Sequence, residues 1–180
     1  EQLGVEVEDV KVVTGDTGYF AWGAGTFASR GATVAGTAIH LAAVKVRTKA
    51  LNLASQILET PVEELELVDG FVRVADIPDK RIGLGDLANR ANPMRGTFPP
   101  GAEPGLEAIA YYGPPYGATG AGCMAMILEV DAETMKPKIE RLVVVHDCGT
   151  PINPMVVEGQ IHGGIQMGIG NAFYEKLYYD

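Results

Sequence analysis

The feature that most constrains this chain is a glycine-rich loop running straight into a long amphipathic helix. Residues Gly23–Gly31 read GAGTFASRG. Downstream, apolar residues recur at Ala35, Ile39, Ala42, Val46, Ala50, Leu53 and Ile57. Spacings of three and four put them on one helical face, and the pattern predicts a helix over about 32–58. Lys45, Lys49, Asn52 and Gln56 fall on the opposite face. Glycines let a backbone approach a ligand closely and adopt positive φ. Thr26 and Ser29 bring hydroxyl donors, and Arg30 brings a permanent planar charge suited to phosphate. The free N–H groups and dipole of a helix start favour an anion. Gly23–Gly31 therefore reads as a phosphate cradle, or else as a surface loop with Ser29 as an ordinary helix cap. A Rossmann fingerprint would need a strand leading in and an acid about 20 residues on, where this chain is still helical.

The rest of the chain alternates short strands with helices. Val10–Thr14 reads as a buried strand, and Thr60-Pro61 ends the long helix. Leu65–Val68 and Phe71–Val74 flank Asp69-Gly70, a strong hairpin signal. Ile82–Ala91 reads as a short helix, and 92–105, rich in Pro and Gly, as a surface excursion. Gly105–Tyr112, Met124–Val130, Ile139–His146 and Tyr174–Tyr179 read as strands. Pro154 leads into a helix over about 155–172. The expected class is α+β: long helices packed on short, mostly antiparallel strands and hairpins, within a larger domain. Two lobes, 1–105 and 106–180, are expected.

Composition narrows the function classes. With 47% apolar and 21% charged residues the chain is globular rather than disordered. A net charge of −9 without a Lys/Arg cluster argues against a nucleic-acid partner and against anionic membranes. The apolar runs fall short of the about 20 residues a spanning helix needs. Cys123 and Cys148 form no CxxC pair, and both thiols are expected reduced and mostly buried, in a cytoplasmic protein. The chain starts without Met and stops at Leu177-Tyr178-Tyr179-Asp180 as if mid-strand, so a fragment, a processed chain or part of a split protein is expected.

A second constellation spans His146-Asp147-Cys148-Gly149 to Gly163-Gly164. Its glycines, with Gly168, suggest close backbone packing against a helix or a cofactor, because each costs about 0.5–1 kcal/mol in a helix interior. Gln160, a polar amide among small residues, wants a partner. His146, Asp147 and Cys148 alternate in direction and cannot converge on a metal, so Asp147 reads as a turn-former. Gly117–Gly122 is either a close-approach loop over a ligand or a flexible lead into the next strand.

Together GDT (15–17), GTFASRG (25–31), EVDAET (129–134) and HDCGTPINPMVVEGQIHGG (146–164) resemble the molybdenum-binding subunit of the xanthine oxidase family. That family includes aldehyde oxidoreductases, N-heterocycle hydroxylases and aerobic carbon monoxide dehydrogenase. The resemblance implies a molybdopterin cofactor, usually the cytosine dinucleotide in bacteria, whose dithiolene holds the molybdenum without protein ligands. Thr26, Phe27, Ala28, Ser29, Arg30, Gly31 and Gln160 would contact it, with the backbone of Phe27 and Ala28 close to the metal. Partners implied are the remainder of the molybdenum subunit, an iron–sulfur subunit with [2Fe-2S] clusters, an FAD subunit and a small-molecule substrate. The sequence departs from the family pattern in four places. The Gly-x-Gly-Glu segment with the catalytic base is expected after residue 180, an upstream glycine- and glutamine-rich segment is missing, Gly31 stands where Ser is common, and Met167 where Gly is. A non-catalytic cofactor-binding or assembly module of the same fold is the alternative.

Overall fold

The computed structural model describes residues 1–20, 23–93, 103–117 and 119–179. It divides into two compact units, Glu1–Pro115 and Tyr116–Asp180, where composition put the boundary near 105. Most of the Pro/Gly-rich excursion lies outside the described residues.

The first unit is built on the long helix. Residues Ala32–Gly36 form a π-helical turn, and α1 follows over Thr37–Leu58. At its end Glu59 takes a left-handed conformation and the Thr60 N–H donates to the Ser55 carbonyl at 3.1 Å, so the last turn closes without the usual glycine. Strands β1 (Leu65–Val68), β2 (Phe71–Val74) and β3 (Ile77–Gly83) form an antiparallel sheet in that order. The hairpin across Asp69-Gly70 is as expected, and β3 adds a strand that the sequence reading left out. Only Ile82 of β3 is buried, and Pro78 and Asp79 suit an edge strand rather than an alternating one. Helix α2 (Leu84–Arg90) completes the unit.

Alternation along the strands decides what is inside. Leu65, Leu67, Val72, Val74 and Ile82 point to one side of the sheet, onto Ala50, Leu53 and Ala54 of α1 and Leu87 of α2. Opposite them, Glu66 and Arg73 pair across β1 and β2 at 2.6 Å. A helix of 22 residues is about 33 Å long and outruns strands of four to seven. The apolar face of α1 is therefore buried only in its second half, and Ile39 stays 64% exposed. On the other face Lys45 and Lys49 donate to the carbonyls of Ile109 and Glu107, and Lys49 pairs with Glu103 at 2.7 Å. This pairing holds the Glu103 carboxyl below its ordinary range. The segment expected as a strand over 105–112 is thus an extended strap held by lysines. Residues 10–14 are likewise not a strand, because no described strand pairs with them.

The second unit is a long hairpin and a helix. Strands β4 (Ala121–Val130) and β5 (Pro137–Asp147) pair antiparallel from Ala121 with Asp147 to Val130 with Pro137. Asp131 shapes the connection, its Oδ1 accepting the N–H groups of Glu133 and Thr134 at 2.9 and 2.8 Å. Helix α3 (Pro154–Phe173) starts at Asn153, whose side chain accepts the Val156 N–H, with Pro154 in the first turn. Residues 174–179 form no strand. No described residue of this unit is buried. Cys123 and Cys148, expected inside, are exposed, because the unit has no interior of its own to receive them.

Candidate functional site

Six of the seven candidate residues, Thr26 to Gly31, lie in the first unit, and Gln160 lies in the second. In the first, the glycine loop is bent by left-handed backbone. Gly25 has φ +72, and Ala28 and Ser29 follow at +51 and +54. Glycine takes this conformation freely, whereas Ala and Ser pay about 1–2 kcal/mol each. The paired strain is compensated locally. The Arg30 guanidinium donates from Nε and Nη2 to the Gly25 carbonyl at 3.2 and 2.7 Å. Its Cζ also sits 3.8 Å from the centre of the Phe27 ring, a cation–π distance. The Arg30 N–H reaches the Phe27 carbonyl at 3.3 Å.

The helix that follows begins without a side-chain cap. Gly31 precedes it in a helical conformation, and no side chain accepts from its first turn. Ser29 is therefore not the cap that the loop-only alternative required. The first N–H groups stay open to an anion. Among the described residues the hydroxyls of Thr26 and Ser29 make no hydrogen bond with the chain. Nothing lies within 4 Å of a Cβ added at Gly23 or Gly25, and one added at Gly31 would touch Thr26 at an ordinary 3.6 Å. Phe27 is 60% exposed. The loop is an open cradle of donors with one fixed cation.

In the second unit, β5 and α3 flank a groove of about 780 Å³, lined by Val144, His146 and Cys148 on one side and Val157, Ile161 and Ile165 on the other. Gln160 lines an adjoining groove of about 450 Å³ with Met124 and Gly164. Four of the five glycines of α3 are not packed by the chain: a Cβ added at Gly159, Gly163, Gly164 or Gly168 meets no atom within 4 Å, while one at Gly170 would meet the Glu175 carboxylate at 3.2 Å. Asp147 is the turn-former expected, its Oδ1 accepting the Gly149 N–H at 2.9 Å. His146 has a steric role that sequence reasoning missed. A Cβ added at Gly120 or Gly122 would come 3.2 Å from the carbonyl oxygen of Asp147 or Val145 and 3.3 Å from the His146 imidazole, so the β5 backbone and this ring together favour glycine there. That accounts for the part of the Gly117–Gly122 run next to β4, while Ala118 lies outside the described residues. Among the described residues no group of three or more His, Cys, Asp or Glu is placed to hold a metal ion, and no helix is long and apolar enough to cross a membrane.

The family model for the molybdopterin cofactor-binding domain matches residues 1–180. The carbon monoxide dehydrogenase large chain of Hydrogenophaga pseudoflava is 39% identical over 180 residues, covering 99% of this chain and 22% of that one. The nicotine 6-hydroxylase large subunit of Paenarthrobacter nicotinovorans is 37% identical over 178 residues, with the same coverage of each chain. The crystal structure of quinoline 2-oxidoreductase from Pseudomonas putida 86 superposes with a TM-score of 0.76 at 38% identity, over 99% of this chain and 23% of that one. The chain thus spans less than a quarter of the length of these relatives.

Proposed function

Since this chain belongs to the molybdopterin cofactor-binding domain family, we propose that residues 26–31 and Gln160 hold part of a molybdopterin cytosine dinucleotide within a larger molybdenum hydroxylase. The observation that carries the reading is the open cradle at residues 25–31. Left-handed backbone at Ala28 and Ser29, an uncapped helix start and the Arg30 cation occur together there, and such a set of donors suits a pyrophosphate. In this reading the hydroxyls of Thr26 and Ser29 and the first N–H groups after Gly31 bind phosphate oxygens. The backbone of Phe27 and Ala28 would contact the group toward its metal end, and the Gln160 amide would bind it from α3. When bound, the group supplies the metal at which an aldehyde, an N-heterocycle or carbon monoxide is oxidised with water-derived oxygen. The chain's own residues bind and orient it.

The catalytic base is placed outside these 180 residues. Glu158 lies within α3 and Glu175 just beyond it, and neither follows the Gly-x-Gly pattern. Electrons would pass to [2Fe-2S] clusters and FAD on partner subunits or domains, and the assembly is assigned to the cytoplasm, consistent with two unpaired, exposed thiols. The test is elemental and nucleotide analysis of the native protein. Molybdenum and CMP in equal amounts, both lost in a Gln160→Ala variant, are the expected result. A native protein with neither would overturn the reading. The 180-residue chain by itself is expected to show no turnover even when supplied with cofactor, and molybdenum-dependent hydroxylation by it would refute the placement of the base.

A further inference from the structure

We propose that Arg30 is a positioning residue that clamps its own glycine loop. The inference rests on the reading that this loop faces the cofactor. Ala28 and Ser29 occupy successive left-handed conformations, which persist only where the surroundings over-determine them. Among the described residues the ties that bridge this pair all come from Arg30. Its Nε and Nη2 converge on the Gly25 carbonyl, its Cζ lies over the Phe27 ring, and its backbone N–H reaches the Phe27 carbonyl. One residue thereby closes the loop from 25 to 30 on three sides.

The same contacts occupy one edge of the guanidinium. A guanidinium offers two edges for bidentate recognition; the Nε/Nη2 edge is committed to Gly25, which leaves only the Nη1/Nη2 end for a phosphate. Phosphate would have to open the loop to use that edge. A lysine could supply a charge here but neither the paired edge nor the stacking plane. Arg30 therefore acts through Phe27, Ala28 and Ser29, whose backbone it presents to the cofactor.

The test uses the holoenzyme with Arg30→Lys, Arg30→Gln, Phe27→Tyr, Phe27→Leu and the Arg30→Gln/Phe27→Leu double variant. Two quantities are read: molybdenum and CMP retained after gel filtration, and amide hydrogen exchange over residues 25–31 after the cofactor is stripped. Arg30→Lys and Arg30→Gln should speed loop exchange several-fold and lose cofactor equally. In loop exchange, Phe27→Tyr, which keeps the ring face, should be slower than Phe27→Leu, which loses it. The double variant should be no worse than Arg30→Gln alone. Cofactor retention rescued by Arg30→Lys, with loop exchange unchanged in every variant, makes Arg30 a charge contact and overturns the clamp. If the Arg30 variants fail to fold, the Phe27 pair decides, since equal exchange in Phe27→Tyr and Phe27→Leu also overturns it. A wild-type protein without molybdenum refutes the proposed function, while the exchange comparison still decides the clamp.

Discussion

Gly4 shows how much a single position can carry. Its φ is +55, and a Cβ there would sit 2.6 Å from the Leu67 carbonyl oxygen. Its own carbonyl accepts the Gly70 N–H. Gly4→Ala is expected to destabilise the first unit by about 2 kcal/mol or more, read as a lower Tm. Gly31→Ala meets only an ordinary contact with Thr26 and should leave Tm unchanged. Leu87 is fully buried, and Leu87→Ala should cost about 2–5 kcal/mol in denaturant unfolding. The chemistry of Thr26, Ser29 and Arg30 was legible in the sequence, because donor types and a helix start are written in it. The partner of Arg30 was not, since it depends on the left-handed turn at Ala28 and Ser29, a conformation those two residues do not favour. Gly4 gave no sign either, because a lone glycine announces a close approach only once the approaching strand is known.

Elements were readable where their signal is local. The periodic face of α1, the Asp-Gly turn between β1 and β2, and the Asn153-Pro154 start of α3 depend on neighbours a few residues away. Residues 10–14 and 174–179 carried strand-forming side chains yet stay unpaired, because a strand is completed by a partner and its propensity does not supply one. The turn between β4 and β5 gives a pH test. Hydrogen bonds from the Thr134 and Glu133 backbone lower the Asp131 pKa from its ordinary 3.8. A depressed folded value means that the turn gains stability from the ionised form above the ordinary pKa and loses it as pH falls through the lower one. Amide signals of Glu133 and Thr134 should therefore keep their positions to below pH 3.8. In Asp131→Asn, which keeps an accepting oxygen, this acid transition should vanish. A transition at or above 3.8 in the wild type contradicts the account.

The two units differ in kind. All the buried apolar residues among those described, from Ala50 to Ala91, belong to the first, while β4, β5 and α3 display their apolar side chains. A two-stranded hairpin is at best marginal in water without further packing. Hydrogen exchange on the 180-residue chain should thus show slow amides in the β1–β3 sheet and the second half of α1, and fast amides throughout β4 and β5. Equal protection in both units would show that the second has an interior after all. The division near residue 115 was visible only as a Pro/Gly-rich stretch, since composition marks a linker without marking where contacts cease. The strand order has a consequence for how the chain reaches this state. Two residues separate β1 from β2, two separate β2 from β3, and six separate β4 from β5. Loops this short close on the sub-microsecond scale, about 10–100 ns for ten residues. Among the described residues no strand pairing waits for a distant segment, so each hairpin can begin to pair as soon as its own residues emerge from the ribosome and is then held by later packing.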